Sequence, residues 1–349
     1  MSDPTAQSAS GTDDLVAPEF TRAVDLAAAR VGGRVLYATD EFFAEKENLI
    51  TEGRGVFVPG KYTDRGKWMD GWESRRRRGP GHDWCIVRMG LPGMIVGVDV
   101  DTNHFTGNFP EHASLEACSA APDATARQLS SARTAWTEIV PIARLAGGSR
   151  NFFAVAEGRT FSHVRLRIYP DGGVARLRVH GVVAPSWKTA APGGMWDLAA
   201  LENGGVVELA NDNYFGRKDN LIMPGPSVNM GDGWETRRKR GPGHDWVIVK
   251  LGATGTLRRV EVDTAHFKGN FPDRCSLEAV RLPGPVPADF LASRSLAWEE
   301  LLPSSKLQAD RRHVFEAELA EHGPVSHVRF NIFPDGGVAR LRLFGVREA

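Results

Sequence analysis

The chain carries most of its distinctive sequence twice. Asp70-Gly-Trp-Glu-Ser-Arg-Arg-Arg-Arg-Gly-Pro-Gly-His82-Asp83-Trp84 returns as Asp232-Gly-Trp-Glu-Thr-Arg-Arg-Lys-Arg-Gly-Pro-Gly-His244-Asp245-Trp246. Asp101-Thr-Asn-His104-Phe-Thr-Gly-Asn-Phe-Pro110 returns as Asp263-Thr-Ala-His266-Phe-Lys-Gly-Asn-Phe-Pro272, and both blocks recur at an offset of 162 residues. Solenoid and propeller units run only ~20–50 residues, so a repeat this long is a duplicated domain. With 349 residues in all, each copy has enough chain to bury its own core. Side chains that both copies keep are the first candidates for chemistry.

Near their starts the copies are offset by 172 residues instead, Asp25-Leu-Ala and Gly33 matching Asp197-Leu-Ala and Gly205. The first copy therefore has ten extra residues, which lie in Thr51–Met69. That stretch is rich in Gly, Lys and Arg and reads as an enlarged surface loop. Ala184-Pro-Ser-Trp-Lys-Thr-Ala-Ala-Pro-Gly-Gly194 has the composition of a linker. The expected division is a flexible tail over 1–20, a first repeat over 21–184, a linker over 185–196 and a second repeat over 197–349.

Each copy reads as short β-strands punctuated by Gly and Pro. Val164–Ile168 alternates apolar with charged residues, Tyr169–Gly173 is a turn, and Val174–Val179 alternates again, which predicts a hairpin. Val328–Leu343 repeats it around Pro334-Asp-Gly-Gly337. Asp83–Arg88 and Val96–Val100 predict two further strands, and Arg22–Arg30 a short helix. Trp72, Trp84, Trp234 and Trp246 are expected core anchors. Many short strands with turns every ~8–12 residues indicate an all-β chain of two tandem jelly-roll sandwiches.

Lys plus Arg and Asp plus Glu both total 43. A neutral chain lacks the long-range attraction used by nucleic-acid and anionic-membrane binders, so neither partner is expected. No stretch approaches the ~18 apolar residues of a membrane span, and Met1–Asp14 lacks the apolar core of a secretory signal. Cys85, Cys118 and Cys275 match Val247, Val280 and Ala113 in the other copy. A disulfide or thiolate metal site shared by the fold would recur, so three reduced thiols in a cytoplasmic protein are expected. A catalytic cysteine confined to one copy is the lesser alternative.

Three histidine pairs match across the copies: His82/His244, His104/His266 and His163/His327. Asp101 with His104, and Asp263 with His266, follow a strand and open a Gly-Asn-Phe-Pro loop. A carboxylate three residues from an imidazole can orient the ring for proton transfer. The competing reading is an Asx-turn at Asp101 with His104 packed beneath Phe105. Glu73 and Glu235 each precede a basic run, Arg75–Arg78 and Arg237–Arg240. At least one arginine of each run suits a small carboxylate through its forked donors, while the alternative is a solvated turn with surface ion pairs. Gly-Pro-Gly forces a turn before His82 and His244. Asp101, His104, His82 and Glu73 could assemble an N/O metal site, but no His-Glu-x-x-His or Cys-based spacing supports one. No cofactor is predicted, and a divalent metal is left open.

These strings together resemble the allantoicase family. The matching features are Asp40-Glu-Phe-Phe-Ala with Asn48-Leu-Ile, Asp70-Gly-Trp-Glu-x-Arg-Arg, Gly-Pro-Gly-His-Asp-Trp, Val-Asp-Thr-x-His-Phe-x-Gly-Asn-Phe-Pro, Ser114-Leu-Glu-Ala and the Pro-Asp-Gly-Gly-Val-Ala-Arg-Leu-Arg segments. The resemblance covers the chain from about Phe20 onward and includes the duplication. It implies two galactose-binding-like jelly rolls, a tendency to homo-oligomers, and hydrolysis of allantoate to ureidoglycolate and urea in purine breakdown. On that substrate the residue reading assigns proton handling to His104 or His266, oriented by Asp101 or Asp263. Glu73 or Glu235 is a second acid/base candidate, with His82 and His244 held as further ones, and Arg76 or Arg238 grips the carboxylate. The rival reading is a non-catalytic pair of carbohydrate-binding or ligand-binding jelly rolls.

Overall fold

The computed structural model describes residues 17–187, 194–293 and 295–348. The expected flexible tail lies outside these residues up to position 16, as does the middle of the linker, 188–193. The chain divides into two compact units, Met1–Val182 and Val183–Ala349. Each is a β-sandwich built around one unusually long strand, Asp83–Asp101 or Asp245–Asp263.

This strand joins the two segments that the sequence reads as separate. Its first half lies between Arg34–Ala38 and Thr160–Tyr169, with Val87 opposite both Val35 and Val164. Its second half pairs with Arg150–Ala154, Val98 opposite Phe153, and with Arg176–Val183. Between the halves the register slips near Arg88–Gly93. Gly90 permits the bend there, because a Cβ on it would lie 2.3 Å from the Val31 carbonyl oxygen. His112–Cys118 and Thr137–Arg144 extend the first sheet, Leu115 opposite both Leu166 and Val140. Leu26, Ile95, Val98, Leu166 and Leu177 are fully buried. The second unit repeats the plan, with Val249 opposite Val207 and Val328, and Val260 opposite Phe315 and Leu343.

The predicted hairpin is not one. Thr160–Tyr169 and Arg176–Val183 are strands, but the long strand lies between them, and the same holds for Val325–Phe333 and Arg340–Arg347. Alternation specifies which face of a strand is buried, not which strand it pairs with. The Pro170–Ala175 turn instead ties both ends of the long strand together. Asp83 N–H donates to the Pro170 carbonyl at 3.2 Å, and Ala175 N–H donates to the Asp101 carbonyl at 2.8 Å.

Three smaller expectations also change. Arg22–Arg30 forms no α-helix: 3-10 turns at Glu19–Arg22 and Ala29–Val31 flank the two-residue strand Val24–Asp25. Trp72 and Trp234 are fully buried, but Trp84 and Trp246 are only half-buried. Trp84 packs on a satellite cluster of Ile86, Cys118 and Leu129, while the Arg165 guanidinium lies over its ring at 5.7 Å. The Thr51–Met69 loop contains a small hairpin of its own, Tyr62–Thr63 with Gly66–Lys67.

Candidate active site

The turn that joins the ends of the long strand also gathers the residues kept by both copies. Phe105 is fully buried beneath it. A Cβ on Gly173 would lie 2.0 Å from the Phe105 ring, and one on Gly337 would meet Phe267 at the same distance. Only glycine lets the turn rest on that ring. Gly173 N–H donates to the Asn108 carbonyl at 2.8 Å and pairs with Glu73. Trp72 sits beside Glu73, its indole N–H bonded to the Asp40 carbonyl at 2.7 Å.

Glu73 is thus carried on a two-residue strand over a packed aromatic floor. Its Oε1 accepts Asn108 Nδ2–H at 2.6 Å. Burial raises the Glu73 carboxyl above its ordinary range, and the Asn108 bond pulls the other way. A half-buried carboxyl of this kind holds its proton closer to neutrality than an exposed one, as a general acid requires. Asn270 donates to Glu235 in the second copy. The sequence reading missed Asn108 and Asn270, although both lie in the duplicated Gly-Asn-Phe-Pro string.

The basic run splits by position. Arg75 is held by Asp40, Nε to Oδ2 at 2.7 Å, and Arg77 by Asp83, Nη2 to Oδ1 at 2.7 Å. Partial burial would raise the Asp40 carboxyl, but the hydrogen bonds from Arg75 and Phe42 outweigh it and leave the group lowered. Arg76 and Arg78 are exposed and have no ion-pair partner among the described residues. The second copy repeats the pattern, Arg237 on Asp212 and Lys239 on Asp245, with Arg238 and Arg240 left over. Arg76 and Arg238 thus lie exposed between ion-paired neighbours. Asp40 and Asp212 are also residues the sequence reading missed as site components; their signal was the shared Asp-x-(Phe/Tyr)-Phe string.

His82 packs against Tyr169 with tilted rings whose centroids are 4.7 Å apart, and His244 against Phe333 at the same distance. Burial first, then the charges of Arg167 and Arg77, lower the His82 pKa, which favours the neutral imidazole. The Asx-turn expected at Asp101 forms: Asn103 N–H donates to Asp101 Oδ1 at 2.9 Å, and Ala265 N–H to Asp263 Oδ1 at 2.8 Å. The Asp101 carboxylate is otherwise bonded to Arg54, Nε to Oδ2 at 3.1 Å. Among the described residues no hydrogen bond joins Asp101 to His104 or Asp263 to His266. Each carboxylate accepts the N–H two residues on and so closes its own turn instead of pairing with the ring three residues on.

His104 does not pack beneath Phe105; it is exposed, at φ 67°, with Phe57 at 5.7 Å. His266 has φ 72°, and its Nε2 is bonded to the Ser227 carbonyl at 3.1 Å. A left-handed histidine is uncommon, and both copies retain it. The structure places Glu73 on the two-residue strand Trp72–Glu73 and His104 in the loop that follows the long strand, with His82 against Tyr169 at the start of the Pro170–Ala175 turn. No described contact joins the three side chains directly. Among the described residues no group of three or more His, Cys, Asp or Glu side chains is arranged to hold a metal ion.

A sequence profile described as the allantoicase repeat matches residues 24–184 and again 196–348, which together span most of the chain. The chain belongs to the allantoicase family. It is 52% identical over 336 residues to a probable allantoicase of Burkholderia mallei, covering 96% of this chain and 98% of that one. It is 50% identical to a probable allantoicase of Stutzerimonas stutzeri, over 93% of this chain and 97% of the relative. The crystal structure of allantoicase from Saccharomyces cerevisiae superposes with a TM-score of 0.78 at 36% identity, covering 93% of each chain. Both allantoicase repeats of this chain thus keep the floor of Phe105 or Phe267, the Glu–Asn pair and the Asp–Arg pair.

Proposed function

We infer that this protein is an allantoate hydrolase that releases ureidoglycolate and urea. The observation that carries the reading is the match to allantoicases along nearly the full length of both repeats. Allantoate bears one carboxylate and two ureido groups on a single carbon. Release of intact urea means that the bond from the central carbon to a ureido nitrogen breaks. Attack on a ureido carbonyl would instead give a carbamate and an amine.

The site residues suit that route. Protonated Glu73 gives its proton to the departing ureido nitrogen as the C–N bond electrons leave with it. The remaining ureido nitrogen donates its lone pair, leaving an acylimine-like carbon. Water then adds its oxygen to that carbon and passes a proton to His104, and transfer of that proton to Glu73 restores the starting state. Arg76 grips the carboxylate through its forked donors. Glu235, His266 and Arg238 are the matching set in the second repeat. His82 and His244 line the neighbouring turn, while Asp101 and Asp263 shape the histidine loop.

The reading extends to a cytoplasmic homo-oligomer. All three cysteines are buried and unpaired, in keeping with a reducing compartment, and no helix of the described residues is long and apolar enough to cross a membrane. Light scattering on the purified protein tests the assembly. A urea-release assay on allantoate separates the enzyme from a sugar-binding pair of jelly rolls. Run in ¹⁸O-water, it must place the label in the ureidoglycolate hydroxyl; label in urea overturns the route.

A further inference from the structure

The two copies share a floor but not a roof. In the first copy the Thr51–Met69 insert is tied on one side to the histidine loop. Arg54 pairs with Asp101, the Gly55 carbonyl accepts Asn103 Nδ2–H at 2.9 Å, and Phe57 lies 5.7 Å from the His104 ring. On its other side the insert reaches the Asp40–Arg75 corner. Arg65 donates to the Phe42 carbonyl at 3.2 Å, and Gly66 lies against the Phe43 ring. Phe43 N–H in turn donates to the Glu73 carbonyl at 3.2 Å. The insert therefore spans from His104 to the strand that carries Glu73.

The second copy has only Met223–Gly231 in that place. Tyr214 and Phe215 are 67% and 63% exposed there, against 40% and 37% for the matching Phe42 and Phe43. His266 has its Nε2 committed to the Ser227 carbonyl. No described hydrogen bond engages the His104 ring.

The insert also changes the charge. It carries Arg54, Lys61, Arg65 and Lys67 against Glu52 and Asp64, whereas residues 223–231 carry no charged side chain. Among the described residues Lys61, Arg65 and Lys67 have no carboxylate partner; each lies over an aromatic ring instead. Lys61 is 3.6 Å from the Trp68 centroid, Lys67 is 4.5 Å from Phe57, and Arg65 is 5.6 Å from Phe42. Rings fix the direction of these cations without neutralising them. Phe57 thus stands between a free imidazole and an uncompensated ammonium group.

We propose that this insert roofs the first copy's site and makes that copy the one that turns over substrate, with Arg65 and Lys67 joining Arg76 to draw in and hold the allantoate carboxylate. The proposal rests on the allantoate reading above and adds to it which copy works and through which cations. Opposite charge in a partly walled cleft raises the local concentration of a small anion and weakens as salt screens it.

The test is steady-state urea release by the full-length protein. The double variant Arg65→Ala/Lys67→Ala is expected to raise the KM for allantoate about tenfold, equivalent to ~1.4 kcal/mol, with kcat within threefold of the parent. Lys67→Arg alone is expected to keep the parent KM. Raising the salt concentration should increase the parent's KM and leave that of the double variant nearly flat. A chimera with Thr51–Met69 replaced by the Met223–Gly231 sequence should keep its circular dichroism spectrum and lose turnover. An unchanged KM in the double variant, or full turnover in the folded chimera, overturns the proposal. If the chimera fails to fold, the double variant decides alone. A parent that releases no urea from allantoate refutes the allantoate reading instead.

Discussion

Removing the Asp70 carboxylate is the sharpest test of how the site is held. Arg176 is 2% exposed; its Nη2 meets Asp70 Oδ2 at 2.7 Å, and its Nη1 donates to the Asp70 and Ala175 carbonyls. Asp70→Ala leaves that guanidinium buried and uncompensated. Breaking such a pair by deleting one partner costs ~3–5 kcal/mol. The two carbonyl bonds that remain, and the 14% exposure of Asp70, put the expected loss near the lower end, about 3 kcal/mol. For a unit of this size each kcal/mol lowers the melting temperature by ~2–4 °C, so the first repeat's transition should fall by ~6–12 °C in differential scanning calorimetry. Asp70 Oδ2 also accepts Val56 N–H at 2.8 Å, which anchors the insert. The variant should therefore also raise the KM for allantoate severalfold. Asp232→Ala is the internal control. It exposes Arg340 to the same loss, Nη2 to Oδ2 being 2.7 Å, and should destabilise the second repeat while leaving KM near the parent value. Asp70→Ala/Arg176→Met should recover more than half of the lost stability, because an apolar pair needs no charge compensation. A fall of less than ~2 °C in Asp70→Ala, or a double variant less stable than the single one, would refute the reasoning.

Further outcomes follow from the same geometry. Glu73→Gln should lower kcat by ~10²–10⁴ with little change in KM, since the amide keeps the Asn108 contact but carries no transferable proton; single-turnover urea release checks it. His163 is fully buried, with Nδ1 at 2.8 Å from Ser162 Oγ, and burial together with Arg88 holds its pKa down to about 4. Unfolding therefore takes up a proton between pH 6.5 and about 4, so this residue's contribution to stability falls as pH is lowered through that window, by up to ~3 kcal/mol. Asp99 and Asp197, each pushed up to about 6 chiefly by burial, slope the opposite way above pH 3.8. The measurement is therefore the difference in urea-denaturation stability between parent and His163→Gln across pH 4–7, in which the aspartate slopes cancel. The parent's stability relative to the variant should fall by up to ~3 kcal/mol as pH is lowered from 6.5 to about 4; a difference that is flat with pH refutes the reading. Gly173→Ala drives a methyl into the Phe105 ring and should cost ~1–3 kcal/mol by overpacking, read as a lower melting temperature together with lower kcat.

The duplicated strings, read without any coordinates, already established a two-copy all-β chain, its place among the allantoicases, and a short set of candidate side chains. Those inferences succeed because they depend on local patterns. Alternation marks a half-buried strand, Pro-Asp-Gly-Gly marks a turn, and a shared offset marks a duplication. Which strand lies beside which is a long-range matter, so the supposed hairpin became two strands separated by the long one. Pairing Asp101 with His104 failed as geometry for a related reason: short spacing in sequence does not aim two side chains at each other, and the carboxylate closed its own turn and met Arg54. Asn108 and Asp40 were visible in both copies but carried no chemical signal until the fold brought them to Glu73 and Arg75. The Thr51–Met69 insert read as a spare loop. Only packing shows it reaching from His104 to Phe43, because where a loop lands is set by the surfaces at its two ends rather than by its composition.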